Sequence, residues 1–204
     1  HNLAGSIIIL DEVQTIDVTY WGAVRQALLF LANQFDLKII MMTATQPLIF
    51  EPTEFEEIAP ALAVPERVTF HRHNQQISLG DFNNEIRNLI ASNPDRSILI
   101  ELNTVRTAQD VFDSVDPNLN RYFLSSQIVP LDRQPRINDI RADLEAGRPT
   151  VVVTTQVIEA GVDLDFDIAV RDIGPIDSII QTAGRCNRNG LRQAAASDFH
   201  IYRI

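Results

Sequence analysis

The stretch at residues 149–190 constrains the fold of this chain more than any other part of the sequence. It reads PTVVVTTQVIEAGVDLDFDIAVRDIGPIDSIIQTAGRCNRNG. A run of β-branched residues at 151–155 predicts a buried strand, an apolar run at 166–170 predicts a second strand, and the spacing at 176–186 predicts a helix. Buried strands that alternate with helices are typical of an α/β protein with a mainly parallel sheet.

The same alternation continues through the rest of the chain. Further strands are predicted at residues 6–10, 37–42, 68–72, 97–103, 121–125 and 199–204. Further helices are predicted at residues 18–35, 81–92, 105–115 and 131–144. Within the last of these, Pro135 disfavours helix in the residues before it.

The segment 51–66 is the best candidate for a linker, because it holds three prolines and several acids. We therefore expect a complete doubly wound parallel lobe at residues 67–204, preceded at 1–50 by the C-terminal portion of another lobe. The chain opens with His1 rather than Met, so we expect a processed chain or an excerpt of a longer one.

Composition limits the classes of partner. A formal net charge of −10 argues against a broad basic surface for phosphates. A narrow nucleic-acid track of hydroxyls, backbone N–H groups and a few arginines remains compatible with that charge. The single cysteine, Cys186, fits a reducing compartment and is expected to be inert. Apolar stretches are too short for a membrane span, so we expect a cytoplasmic protein with no membrane partner.

Two adjacent carboxylates, Asp11 and Glu12, follow the first predicted strand. The carboxyl end of a parallel strand faces the crevice where such sheets bind ligands. Asp11 is therefore placed to hold Mg²⁺ through water, and Glu12 to orient or deprotonate an attacking water. The alternative is that both acids only cap the following segment. Thr43 and Thr45 follow the second strand and are placed to relay the state of the acids, although a simple turn or helix cap explains them equally well.

The loop after residues 151–155 carries a second group of candidates. Thr154 and Thr155 end the strand and are placed to contact a nucleic-acid backbone. Gly161 permits a positive φ or a close backbone approach, and Asp163 can bind a ribose hydroxyl or an arginine. An ordinary strand–turn–strand connection is the alternative.

Arg185 and Arg188 form the most specific pair, because residues three apart share one face of a helix. A guanidinium fits phosphate as a planar fork and stabilises charge on a transferred phosphoryl group. Cations that complement the end of a helix are the alternative, but they do not explain the accompanying Gln181 and Gly184.

Two other patterns point away from particular sites. The sequence contains no G-x-x-x-x-G-K-[ST] segment, so the phosphate-cradling loop of nucleotide motors is missing from it. His71 and His73 lie on the same side of a predicted strand, but no cysteine or acid lies at ligand spacing. We therefore interpret them as surface histidines.

Taken together, these residues resemble a superfamily two helicase over nearly the whole chain. DEVQ at residues 11–14 resembles motif II, TAT at 43–45 motif III, and the strand ending at residues 103–104 motif IV. Residues 154–163 resemble motif V, and QTAGRCNR at 181–188 resembles motif VI. More narrowly, TATQP, TTQVIEAGVDLDFD and PIDSIIQTAGRCNR resemble the CRISPR-associated helicase–nuclease of type I systems.

That resemblance implies RecA-like lobes and an ATP-dependent motor, with ATP and Mg²⁺ as cofactors and single-stranded DNA as the track. It further implies a CRISPR RNA-guided surveillance complex and an HD nuclease domain or subunit as partners in antiviral defence. It assigns Asp11 and Glu12 to Mg²⁺ and water, and Arg185 and Arg188 to the γ-phosphate. The remaining nucleotide-side residues are Gln181, Gly161, Asp163 and Gly184, and the DNA-backbone residues are Thr154, Thr155, Asn103, Thr104 and Ser125.

The family's motif I is absent from the sequence, so we expect the isolated chain to be inactive. Two rival functions stay open. One is an RNA helicase or a restriction-type translocase, and the other is a non-catalytic module that binds nucleic acid or a partner.

Overall fold

The computed structural model describes residues 3–43, 49–58, 66–158, 162–193 and 196–204. The chain divides into two compact units, His1–Ala63 and Val64–Ile204. The division falls inside the segment 51–66 that the sequence assigns to a linker. Part of that segment packs within the first unit, because Arg25 donates two hydrogen bonds, of 2.8 and 2.6 Å, to the Glu54 carboxylate.

Within the described residues of the first unit, two parallel strands pair with each other and one helix packs beside them. Strand β1 (Ile7–Asp11) lies in register with β2 (Lys38–Met42), and helix α1 (Trp21–Phe35) connects them. Short 3-10 turns at Val13–Thr15 and Val18–Tyr20 precede the helix. Asp36 ends α1 in the left-handed conformation, with φ of 52°. The two strands therefore end side by side, at Asp11 and Met42.

The described residues of the second unit form a six-stranded sheet in which every pairing is parallel. Its strands are β3 (Thr69–Gln76), β4 (Ile98–Glu101), β5 (Arg121–Leu124), β6 (Val151–Thr154), β7 (Ile168–Asp172) and β8 (Asp198–Arg203). Its helices are α2 (Leu79–Ser92), α3 (Val105–Ser114), α4 (Pro130–Glu145) and α5 (Ile176–Ala183). The spatial order β3-β8-β7-β4-β6-β5 confirms the predicted doubly wound α/β fold.

Helices cover both faces of this sheet, which explains why its central strands are apolar on both sides. Alternate residues of β4 face opposite layers. Ile98 and Ile100 belong to the core formed with α2 and α3, whereas Leu99 belongs to the core formed with α4 and α5. β4 is therefore buried along its whole length.

Helix α4 begins at Pro130 and contains Pro135, so the expectation that Pro135 disfavours helix before it was wrong. Proline at the first helical position is favourable, because the N–H it lacks has no partner there. Pro135 lies on the exposed side, and so does Leu131, whose carbonyl would otherwise accept the missing hydrogen bond. Solvent can hydrate that carbonyl, which lowers the cost of the interruption.

Across the described ranges, no helix is long and apolar enough to cross a membrane.

Candidate functional site

The acid pair of the first unit lies where β1 ends. Asp11 is the last residue of the strand, and its carboxylate accepts the N–H of Glu12 at 2.9 Å. Glu12 adopts the left-handed conformation, with φ of 54° and ψ of 41°, which is uncommon for a residue with a side chain. Both carboxylates are exposed to solvent. The backbone therefore turns sharply at the point where the acids are presented.

Gln14 connects these acids to the end of β2, a role that the sequence did not indicate. Its side-chain amide donates to the Glu12 carboxylate, and its carbonyl accepts from the Thr43 hydroxyl at 2.5 Å. Thr43 is thus linked to Glu12 through one intervening side chain. Thr45, the other predicted relay residue, lies outside the described residues.

The acid pair fits Mg²⁺ that is held partly by a substrate. Asp11 supplies an exposed carboxylate, and Mg²⁺ prefers oxygen ligands and keeps several waters. No group of three or more histidine, cysteine or acidic side chains within the described ranges could hold a metal on its own. These residues fit an ion that arrives with phosphate groups and is held by one or two carboxylates.

The carboxyl ends of the central strands in the second unit bring the predicted nucleic-acid residues to one edge. Leu124, Glu101 and Arg171 all lie in one row with Thr154, across β5, β6, β4 and β7. Because the strands are parallel, the residues that follow this row share the same edge of the sheet. Those residues are Ser125, Thr155, Asn103 and Thr104.

These candidates differ in accessibility. The side chains of Thr154, Thr155 and Ser125 are buried, and the Thr154 hydroxyl donates to the Thr155 carbonyl at 2.8 Å. Asn103 is half-buried, and Thr104 is exposed and accepts the Thr107 N–H as the N-cap of α3. Asn103 and Thr104 are therefore the more accessible side chains of this group.

Helix α5 ends at Ala183, so the prediction that Arg185 and Arg188 share a helical face was wrong. Gly184 caps the helix by donating to the Ile180 carbonyl at 2.9 Å. The chain then turns back beside Phe166, whose N–H bonds the Arg185 carbonyl at 2.9 Å. Asn187 has a left-handed φ of 48°, which completes the reversal. We refer to residues 184–188 as the arginine turn.

The two arginines of this turn have different surroundings. Arg188 is 40% exposed and its Nε lies 2.7 Å from the exposed carboxylate of Asp163. Its backbone is held on both sides, since its N–H donates to Asp165 at 2.9 Å and its carbonyl accepts from Arg67 at 2.7 Å. Arg185 is buried, with 7% of its surface exposed. The sequence left open a ribose or an arginine as the partner of Asp163, and the structure places an arginine there.

The other nucleotide-side candidates lie close to the same turn. Gln181 is half-buried in the last turn of α5, one helical turn before Arg185. A Cβ added at Gly184 would lie 3.3 Å from the Gln181 carbonyl oxygen, so a side chain there would press on the helix end. Gly161 lies outside the described residues.

A buried ion pair was missed from the sequence. Glu101 and Arg171 are register partners on β4 and β7, both side chains are 0% exposed, and their charged atoms lie 3.3 Å apart. The available signal was a charged residue inside an otherwise apolar strand, in ILIE and in IAVRD. Such a residue is almost never fully buried unless it is paired.

His71 and His73 lie at the surface, as interpreted, and both make contacts with neighbouring side chains there. His71 lies 2.8 Å from Asp198 and stacks on His200, with ring centroids 4.7 Å apart. The His73 ring stacks on Tyr202 at 3.9 Å. Burial, helped by the neighbouring imidazoles, lowers the pKa of His200 to about 4, and burial also lowers the pKa of His73.

The single cysteine has the surroundings of an inert residue. Cys186 is 1% exposed, and burial raises the pKa of its thiol to about 12. A thiol that stays protonated near neutral pH is a poor nucleophile.

Comparison with known proteins identifies the family. The model of the family described as CRISPR-associated nuclease/helicase Cas3, C-terminal, matches residues 94–191. The CRISPR-associated nuclease/helicase Cas3 of Methanothermobacter thermautotrophicus is 32% identical over 198 residues, which is 89% of this chain. These matches support a fragment of the Cas3 nuclease/helicase family. It spans only 24% of that relative's length. The Cas3 of Haloferax volcanii is 50% identical over 68 residues, 32% of this chain and 7% of the relative.

Solved structures agree on the fold of this chain. The T. fusca Cas3–ATP crystal structure superposes with a TM-score of 0.79 at 19% identity, over 98% of this chain and 30% of that one. S. cerevisiae Dbp5 bound to RNA and ADP BeF3 gives a TM-score of 0.68 at 17% identity, over 98% of this chain and 54% of that one. At such identities the likeness shows the RecA-like helicase fold alone, and it confirms that prediction.

Proposed function

We propose that this chain is part of an ATP-dependent helicase that translocates along single-stranded DNA and unwinds foreign DNA for degradation in CRISPR defence. The observation that carries the proposal is the Arg188–Asp163 pair. A partly exposed guanidinium is held at 2.7 Å by a carboxylate, on a backbone anchored by Asp165 and Arg67. A phosphate can replace that carboxylate as a partner of the guanidinium without a change in the backbone.

The roles proposed for the nucleotide-side residues follow from their surroundings. Mg²⁺, when bound, supplies charge neutralisation to the phosphates of ATP. Asp11 would hold that ion through water, and the exposed carboxylate of Glu12 would orient the attacking water. Arg188 would contact the γ-phosphate directly. Arg185 would be a second arginine of the site, whose buried guanidinium must become more accessible to make the same contact.

We further propose that single-stranded DNA binds at the carboxyl edge of the sheet in the second unit. Asn103 and Thr104 are the accessible side chains there, and backbone groups after β5 and β6 lie beside them. Contacts of this kind read no sequence, because they reach phosphate and sugar rather than base edges. A net charge of −10 is compatible with such a narrow track.

The proposed partners follow from the family. One chain of a CRISPR RNA-guided surveillance complex, pre-nicking, superposes on this chain with a TM-score of 0.68 at 20% identity. We propose that the longer protein carrying this chain acts with such a complex and with an HD nuclease domain or subunit, in the cytoplasm.

One rival function rests on a specific observation. The fold matches RNA-bound Dbp5 and a DNA-bound helicase, MrfA, almost equally well, with TM-scores of 0.68 and 0.69. The fold therefore does not separate an RNA helicase or a restriction-type translocase from a DNA helicase. A non-catalytic binding module is favoured only for the 204-residue chain alone, whose sequence contains no phosphate-loop motif.

ATP hydrolysis by the longer protein, measured with single-stranded DNA, with RNA and without nucleic acid, tests the proposal. We expect stimulation by DNA above that by RNA. We also expect Arg188→Ala to lower turnover by about 1,000-fold or more, in the range seen for arginines that contact a transferred phosphoryl group. Arg87→Ala, which removes a guanidinium bonded only to Asn84 in the described residues, is the matched control. Stimulation by RNA alone would support the rival, and turnover that survives Arg188→Ala would refute the proposed site.

A further inference from the structure

The Glu101–Arg171 pair lies at the carboxyl end of the two central strands of the second unit. Glu101 is the last residue of β4, and Arg171 lies opposite it on β7. Both side chains point to the same face as Leu99 and Ala169, because residues two apart on a strand share a face. Leu99 and Ala169 belong to the core beneath α4 and α5. The pair is therefore enclosed between the sheet and the helical layer that contains α5.

Arg171 also binds a residue at the strand edge. Its Nη1 donates to the Asn103 side-chain oxygen at 2.9 Å. The amide nitrogen of Asn103 donates in turn to Asp172 at 2.6 Å and to the Ile173 carbonyl at 2.7 Å. Asn103 is thus held in one orientation by groups from β7 and the loop after it. This is one of the two accessible side chains proposed above to contact DNA.

The same ion pair binds α5 at two points. Nη2 of Arg171 donates to the Ser178 hydroxyl at 2.6 Å, in the first turn of the helix. The Thr182 hydroxyl donates to Glu101 at 2.9 Å, in the last turn. Arg171 therefore binds the N-terminal turn of α5, and Glu101 binds its C-terminal turn.

A buried ion pair is weak evidence for stability, because apolar residues of similar volume often stabilise a core as well or better. Its specific effect is to fix the orientation of the groups it binds, since charged groups with fixed hydrogen-bond geometry accept few alternative arrangements. Here the pair fixes the orientation of α5, whose eight residues extend about 12 Å and lead directly into the arginine turn.

We propose that Glu101 and Arg171 are positioning residues that couple Asn103 at the DNA edge to the arginine turn at the nucleotide side, through α5. This inference rests on the proposed function. DNA contact at Asn103 alters the bonds that this side chain makes to Arg171. Arg171 transmits that change to Ser178, and a small rotation of α5 moves the turn that holds Arg188.

Ser178→Ala in the longer protein tests the coupling, because it removes one hydroxyl and leaves both charges in place. We expect the DNA-stimulated kcat to fall about tenfold, while the KM for ATP and the Kd for single-stranded DNA stay within twofold of wild type. Ser114→Ala is the matched control, since its hydroxyl bonds a backbone carbonyl in α3, at Val111. We expect that variant to keep wild-type kcat at a temperature where all the proteins are folded.

Four outcomes would count against the inference. It is overturned if Ser178→Ala lowers the melting temperature but not kcat, or if only KM or DNA affinity changes. Absence of DNA-stimulated hydrolysis in the wild-type protein would refute the proposed function and this inference with it. Normal wild-type stimulation with an unaffected Ser178→Ala refutes the coupling alone.

A double-mutant cycle adds a measurement whose result would differ if these residues had only a structural role. If Asn103 and Ser178 act through the same pair, the loss of DNA-stimulated kcat in Asn103→Ala/Ser178→Ala is no larger than in the more damaged single variant. Losses that multiply would show that the two residues act independently, and the coupling proposal would fall.

Discussion

Replacing Glu101 by glutamine is expected to destabilise the second unit strongly. Glutamine has nearly the same shape and keeps an oxygen that accepts from Thr182, but it removes the charge that compensates Arg171. At the observed separation of 3.3 Å, an effective dielectric constant of about 20 makes the lost attraction about 5 kcal/mol. Breaking one partner of a buried pair costs about 3–5 kcal/mol in measured cases, which agrees.

The lower end of that range is the better expectation here. Asp172 follows Arg171 directly, and its carboxyl keeps part of the favourable interaction with the guanidinium after the exchange. We therefore expect a loss of about 3 kcal/mol in the free energy of unfolding, and a fall of about 10 °C in the melting temperature of this unit.

Urea denaturation of the 204-residue chain, followed by two signals, measures this loss. The only tryptophan, Trp21, lies in the first unit, so its fluorescence reports on that unit, whereas circular dichroism reports on both. Glu101→Gln should lower the urea midpoint at which the second unit unfolds, as seen by circular dichroism, and leave the midpoint of the Trp21 fluorescence transition unchanged. Glu145→Gln, the same exchange at an exposed position that ends α4, should change stability by less than about 0.5 kcal/mol. A loss below about 1 kcal/mol in Glu101→Gln would refute the argument that this charge is essential to the buried pair.

Two further predictions concern the arginine turn and the histidines. Asp163→Asn removes the charge that holds Arg188. We therefore expect the longer protein to bind ATP a few-fold more tightly in equilibrium titrations, by about 0.5–1 kcal/mol. An unchanged or weaker affinity would show that Asp163 does not compete with phosphate. The pKa of His200 is lowered to about 4, so the unfolded chain takes up protons first as the pH falls. Stability from this residue is complete above pH 6.5 and is lost between that pH and 4, and urea midpoints of wild type and His200→Asn should converge across that interval.

The sequence predicts the strands of the second unit well where burial leaves a strong pattern. The apolar runs at β4, β6 and β7 are short and uninterrupted, as expected for parallel strands covered on both faces. Strand β3 extends to Gln76, whereas the sequence predicted only residues 68–72. The prediction stopped short because the second half of the strand is polar and lies at the edge of the sheet. An edge strand has one unpaired side and little burial, so its pattern is weak.

The candidate site was predicted by residue type better than by geometry. The pattern identified Asp163 and Arg188 separately, but not that they pair, because they lie in different segments that only the fold brings together. The end of α5 was missed because a glycine such as Gly184 is compatible both with a helix interior and with a cap. The charged residues Glu101 and Arg171 stand out in their apolar strands, but the sequence does not show that the two strands are neighbours or that these side chains pair.

Cys186 has a practical consequence for studying motion in this chain. It is the only cysteine, and its thiol is buried between Phe166 and the start of β8, with a pKa of about 12. Reagents that attack thiolates therefore find no native target near neutral pH. A cysteine introduced at an exposed residue, on either unit, would carry the sole label. The fluorescence or spin-label signal of that one label could then follow the arginine turn in the 204-residue chain without first removing a native residue.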